Sequence, residues 1–275
     1  LRERLMKEIE YNVSLRVEDT ESPERFKVSG RGELHLSVLM ETMRREGYEL
    51  QVSQPEVILL RDDDDKVTEP IEQLFVEVPE DCSGTVIESL SKRKGEMQNM
   101  TPVGDRVEIE FYIPSRGLLG YRGQFLTETR VEGIMNSLFY KYDLHKGEIT
   151  RRSKGSLISS VQGDAVAYAI FNLQPRGVFF ISPQTPCYEG MVVGEHAKEN
   201  DIEVNITKGK KLSNVRSSGT DEAIRITPPR QMTLESILEF MGSDELMEVT
   251  PTSLRLRKKH LTENERKAAS RRKQA

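Results

Sequence analysis

The rhythm of apolar and polar positions divides the chain into three stretches. Leu1, Leu5 and Ile9 recur every four residues with charges between them, which predicts an amphipathic helix already under way at the first residue. Val13, Leu15 and Val17 then alternate with Ser14, Arg16 and Glu18, the period of a half-buried strand, and Phe26 and Val28 mark a second strand after a turn. Ser29-Gly-Arg-Gly-Glu-Leu-His-Leu36 enters a helix with Leu36, Leu39, Met40 and Met43 on one face. Gly47 ends it, and Tyr48, Leu50 and Val52 form a last strand. The order αββαβ is one strand short of the ferredoxin-like βαββαβ plan, and the absent strand is expected upstream of Leu1, as in a piece of a longer protein.

The second stretch gives the plan in full. Asp62–Asp65 with Lys66 reads as a solvated linker, since adjacent carboxylates cannot all converge on one metal ion. Leu74, Val76 and Val78 alternate; Val86, Ile87 and Leu90 take helical spacing; Met97 and Met100 lie in a strand; and Val107, Ile109, Phe111 and Ile113 alternate again. A helix is expected from Pro114 through Leu118, Leu119, Phe125 and Leu126, then a strand with Leu138, Tyr140 and Tyr142. Beyond residue 147 helical periodicity nearly stops. Short apolar runs, among them 165–171 and 204–206, are punctuated by Gly and Pro, which predicts a mostly β domain. Thr233 is placed to cap a short helix bearing Leu234, Ile237, Leu238 and Met241, and Thr262-Glu-Asn-Glu265 is a capping box for a basic terminal helix. The predicted fold is α+β: a ferredoxin-like domain without its first strand (1–62), a complete one (67–146) and a β-rich domain (147–275).

Composition narrows the class. Charged residues make up 31% and apolar ones 36% of the 275, as expected of modest hydrophobic cores in two or three domains. No run of 18 apolar residues is present and no signal-peptide pattern opens the chain, so no membrane partner is expected. Cys82 and Cys187 are far apart and lack metal-ligand spacing, which reads as reduced thiols in a cytoplasmic protein. The net charge of -5 argues against a uniformly basic nucleic-acid binder, yet residues 251–275 hold nine Lys/Arg against two Glu. Positive charge is concentrated locally.

The densest concentration is the stretch TKGKKLSNVRSSG over 207–219. It holds Lys208, Lys210, Lys211 and Arg216, no acidic residue, and only Leu212 and Val215 as apolar side chains. It cannot offset its ordering entropy by burial. Its cations, the donors Asn214, Ser217 and Ser218, and its two glycines suit a finger that follows a phosphate backbone; a solvated hairpin tip is the plain alternative. A second candidate lies in PSRGLLGYRGQF, where Gly117, Gly120 and Gly123 would each cost about 0.8–1 kcal/mol in a helix interior. Such a cost implies close approach of another backbone. Arg116 and Arg122 beside it could meet phosphate, or the face could simply pack tightly within the protein. Gly30-x-Gly32-x-x-His35 mimics a dinucleotide fingerprint but follows an αββ unit, so its glycines are read as packing and His35 as structural. No catalytic residue and no metal site is assigned.

These segments resemble a known family. GRGELHLSVLMETMRREGYEL is similar to the second half of domain III of elongation factor G-like translational GTPases, and Pro-Ser-Arg-Gly-Leu-Leu-Gly-Tyr-Arg (114–122) to the domain V signature of their BipA (TypA) branch. Residues 162–168, 188–196, 209–212, 218–222 and 249–255 resemble the C-terminal domain peculiar to that branch. The resemblance implies a monomer that docks on the ribosome, on large-subunit rRNA and the acceptor end of A-site tRNA, through Lys208, Lys210, Lys211, Asn214 and Arg216 with Ser217 and Ser218 alongside. It also implies a role in translation under stress or in large-subunit assembly. Gly-x4-Gly-Lys-Ser/Thr and Asn-Lys-x-Asp are absent, so no cofactor is expected in this chain, with GTP and Mg2+ assigned to missing N-terminal domains. An adaptor whose basic loop meets acidic protein surfaces, and an enzyme with an unrecognised site, stay open as alternatives.

Overall fold

The computed structural model describes residues 1–149, 152, 154–209 and 225–274. They form two compact units, one of Leu1–Gln54, Ser153–Ile237 and Met241–Ala275, the other of Pro55–Arg152 with Leu238–Phe240. The architecture is α+β, and no helix among the described residues is long and apolar enough to cross a membrane.

The first unit begins with α1 (Arg2–Tyr11), β1 (Arg16–Asp19), β2 (Phe26–Ser29), α2 (Glu33–Arg45) and β3 (Leu50–Ser53), the αββαβ order that the periodicity predicts. Leu5, Leu15, Leu39 and Met43 form its core, with Ile9, Val17, Phe26, Val28 and Leu50 packed around it. The strand around Leu15 starts later than expected: β1 opens at Arg16, and Val13, 95% exposed, belongs to the turn before it. His35 is structural: Nδ1 accepts the N–H of Arg31 at 3.2 Å and Nε2 meets the Asn12 amide at 2.7 Å. Gly30 permits this, because a Cβ there would lie 2.7 Å from His35 Nδ1.

The second unit runs β4 (Leu60–Arg61), β5 (Val67–Pro79), α3 (Glu80–Lys92), β6 (Glu96–Val103), β7 (Arg106–Pro114), α4 (Ser115–Leu118), α5 (Arg122–Glu128) and β8 (Ile134–Leu144). Its main strands lie in the order β8-β5-β7-β6, all antiparallel, which is the ferredoxin-like arrangement. Leu74, Val76, Val78, Ile109, Phe111 and Ile113 point from one face onto Val86 and Leu90 of α3 and Phe125 of α5. The acidic run expected as a linker is instead the turn of the β4–β5 hairpin: Asp62 N–H donates to Lys66 O at 3.0 Å and Asp65 sits at φ 61°.

The glycine-rich helix is not one helix. It breaks between Leu118 and Arg122, with Gly120 at φ +69°, so Gly120 is a turn residue and bears no helix-interior penalty. Close backbone approach explains its neighbours: a Cβ at Gly117 would lie 2.6 Å from Arg93 O, and one at Gly120 3.2 Å from Glu239 Cα. Gly123 donates its N–H to Glu239 Oε1 at 3.3 Å.

The remaining elements are β9 (Ser156–Ser159), β10 (Gly163–Asp164), α6 (Ala167–Leu173), a 3-10 turn (Gln174–Arg176), β11 (Gly177–Phe179), β12 (Pro186–Cys187), β13 (Met191–His196), β14 (Ile202–Val204), α7 (Leu234–Phe240), β15 (Glu245–Val249), β16 (Leu254–Lys258) and α8 (Glu263–Gln274), all in the first unit except Leu238–Phe240 of α7. The apolar run at 165–171, expected as strand, forms α6, because Ile170 and Ala169 are buried on one side while Phe171 faces out. A run this short is ambiguous in period and the core beneath it decides. Both predicted caps form: Thr233 Oγ1 accepts Ser236 N–H at 3.2 Å, and Thr262 N–H donates to Glu265 Oε2, also at 3.2 Å. The sheet runs β14-β9-β13-β16-β15-β3, with β11 on β13. Thus β3, from the start of the chain, pairs antiparallel with β15, from near its end.

One buried charge cluster stitches this sheet. Lys258 is 1% exposed, and its Nζ lies 2.5 Å from Asp201, 2.8 Å from Asp244 and 2.9 Å from Glu245. Burial alone would lower the pKa of this ammonium, but the three carboxylates hold it above its ordinary value.

Candidate nucleic-acid interface

The basic stretch 207–219 is flanked by residues of a packed core. Val204 and Ile206 are buried with Leu157, Ile170 and Val193, and Ile226 packs against the same cluster on the return. At the departing end Asn205 Oδ1 accepts Thr207 N–H at 3.0 Å. At the returning end the side chain of Gln174 brackets the backbone, donating to Arg225 O at 3.3 Å and accepting Thr227 N–H at 2.6 Å. Both roots are therefore tied to packed structure.

Lys208 is exposed at the departing root, beside Gly209, whose missing side chain faces open space. Lys210, Lys211, Asn214, Arg216, Ser217 and Ser218 lie outside the described residues.

The two arginines of the other unit diverge. Arg122 opens α5, is exposed, and makes no ion pair among the described residues. Arg116 turns inward: its guanidinium pairs with both oxygens of Glu69 and donates to Gly147 O, leaving its side chain 12% and that of Glu69 0% exposed. Glu69 also accepts Lys146 N–H at 2.7 Å. Burial alone would raise the pKa of this carboxyl, but Arg116 and the Lys146 amide hold it below the ordinary range. The charge of Arg116 is paired inside the protein, as the packing alternative expects.

The basic C-terminal region is likewise largely neutralised where it is packed. Lys258 sits among three carboxylates, Arg257 lies 3.0 Å from Glu248, and Arg266 pairs with Glu203. Arg271 and Arg272, exposed in the last turns of α8, and Lys259, exposed after β16, make no ion pair among the described residues.

One basic feature has no signature in the sequence. Arg176, in the 3-10 turn, and Lys198, past the end of β13, line one groove with Pro175, His196, Asn200 and Ile202. They stand 22 positions apart in no motif, and only the pairing of β11 with β13 brings them together.

The chain is thus α+β, with a ferredoxin-like antiparallel sheet in one unit and a larger sheet in the other. Comparison with known proteins supplies the assignment. Residues 66–153 match the family "Elongation factor G C-terminus" and residues 154–263 the "TypA/BipA C-terminal domain". The chain belongs to the TypA/BipA family. It is 52% identical over 271 residues to the large ribosomal subunit assembly factor BipA of Escherichia coli K12, covering 98% of this chain and 44% of that protein. The Haemophilus influenzae factor of the same name is 54% identical over 271 residues, with the same coverage, and the Synechocystis one 52% over 259, covering 94% of this chain and 43% of the relative. The chain thus spans less than half the length of these relatives.

Proposed function

We propose that this chain is the ribosome-docking part of a TypA/BipA-type GTPase, and that it grips large-subunit rRNA and the acceptor end of A-site tRNA through the loop from Lys208 to Ser218. The observation that carries this reading is identity above 50% over 98% of the chain to factors named for large ribosomal subunit assembly. It is supported by the two anchored roots of a loop with four cations and no carboxylate over 207–219. Arg122, exposed and unpaired among the described residues, is a further contact from the other unit. The first segment (1–62), the ferredoxin-like segment (67–146) and the C-terminal segment (147–275) divide the work, the first two relaying the state of a GTPase carried elsewhere in the parent protein and the last making the grip. The chain acts as a cytoplasmic monomer in subunit assembly or in translation under stress. It performs no catalysis and holds no cofactor, while GTP and Mg2+ belong to the parent's GTPase domain.

Replacing Lys208, Lys210, Lys211 and Arg216 with glutamine tests the grip. Four phosphate contacts to structured RNA give a slope of roughly -3 in log affinity against log salt. Pelleting with large subunits and intact ribosomes at several ionic strengths should show weaker binding and a flatter slope in the variant. Identical isotherms would rule out the loop, and binding that survives nuclease treatment would favour an acidic protein partner instead.

A further inference from the structure

The groove beside the loop root has the chemistry of a second RNA contact. It is a surface concavity of about 410 Å³ lined by Pro175, Arg176, His196, Lys198, Asn200 and Ile202, with no carboxylate in its wall. Arg176 and Lys198 are exposed, and neither forms an ion pair among the described residues. Neighbouring cations behave differently: Lys154 lies 2.9 Å and Arg230 3.0 Å from Glu195, so their charge is spent.

The backbone fixes their spacing. Gly177 pairs with His196 at the start of the β11–β13 ladder, and the next rung is closed by Ala197 N–H donating to Arg176 O at 2.8 Å. Arg176 and Lys198 are therefore carried on adjoining segments of hydrogen-bonded backbone, not on free loops. His196 is 6% exposed, and its Nδ1 meets Asn200 O at 2.5 Å. That contact requires the proton on Nδ1 and leaves Nε2 as the second nitrogen of a ring that lines the groove. Pro175 and Ile202 supply apolar surface against which a ribose or base can rest.

The groove adjoins the returning root of the basic stretch. Gln174, which brackets the returning strand at Arg225 and Thr227, is the first residue of the same 3-10 turn that carries Pro175 and Arg176. Arg225 is exposed at that root. We propose that Arg176 and Lys198 form a phosphodiester-binding groove that extends the grip of the basic loop along an RNA backbone. This rests on the reading of the loop as an RNA contact for its biological setting, but not for its chemistry. RNA fits better than a free anion, because the groove has apolar as well as cationic walls.

The test uses the whole 275-residue chain and a fluorescent RNA hairpin with a single-stranded tail, read by anisotropy across a salt series. R176Q/K198Q should lower the magnitude of the salt slope by roughly 1.5, the value for two phosphate contacts, and R176K/K198R should restore it. Unchanged circular dichroism melting verifies that these exposed substitutions leave the fold intact. An unchanged slope overturns the proposal. So does competition by inorganic phosphate or a mononucleotide as effective, per phosphate, as that of unlabelled RNA, which would make the groove a site for a free anion. The loop variant is measured in parallel: if it binds normally while R176Q/K198Q does not, the loop reading fails and the groove stands. If both variants lose affinity and the quadruple and double changes combine additively in slope, both stand.

Discussion

Replacing Arg116 with glutamine removes the cation from a carboxylate that has nowhere else to turn. Glu69 is fully buried and holds three donor contacts, two from Arg116 and one from the Lys146 amide at 2.7 Å. Removing one partner of a buried pair costs about 3–5 kcal/mol, chiefly because the other charge stays buried and uncompensated. Arg116 retains 12% side-chain exposure and glutamine can still donate one hydrogen bond, so the lower end, about 3 kcal/mol, is expected. Hydrogen exchange followed by mass spectrometry reads this locally: peptides from β5 and β7 should lose roughly 150-fold in protection, the equivalent of that free energy. The pH dependence supplies an independent check. Because the folded carboxyl titrates below its ordinary range, the stability it contributes is present above the pKa of an unfolded glutamate and is lost as pH falls through the depressed value. In R116Q the buried carboxyl takes up a proton readily, so the gap between wild type and variant should narrow from neutral to acid pH. E69Q/R116Q, which removes both charges, should recover most of the loss. Unaltered protection in R116Q together with weakened RNA binding would show that Arg116 serves outward and not as the partner of Glu69.

Lys258→Met leaves Glu245, Asp244 and Asp201 to repel one another around an apolar chain, and urea unfolding should show a loss of about 3–5 kcal/mol. Gly190 sits at φ +85°, and a Cβ there would lie 2.6 Å from Leu261 O, so Gly190→Ala should cost about 2–3 kcal/mol by strain and clash together and lower the melting temperature accordingly. Cys82 and Cys187 are each 4% exposed, and burial pushes the Cys187 thiol up to about 11. Neither should react with a thiol reagent at neutral pH until urea opens the fold, and fast labelling of the native chain would show that these thiols are not buried.

The sequence by itself determined the elements whose physics is local. The four-residue recurrence of Leu5 and Ile9, the strict alternation through Ile109, Phe111 and Ile113, and the hydroxyl caps at Thr233 and Thr262 all formed as read, because each depends on neighbours within a turn or a strand. The cations of 207–219 were legible for the same reason: charge without apolar residues cannot be buried, whatever the fold. Tertiary structure alone decided the rest. It made a helix of the run at 165–171 by placing a core under one side, and it broke the glycine-rich helix at Gly120 where Glu239 comes close. It spent Arg116 on Glu69, 47 positions away, and joined β3 to β15 across most of the chain. It also left Arg176 and Lys198 without an ion pair among the described residues in one groove while their neighbours were neutralised. Whether a charge is free or spent depends on which distant carboxylate the fold brings within reach, and no local pattern records that.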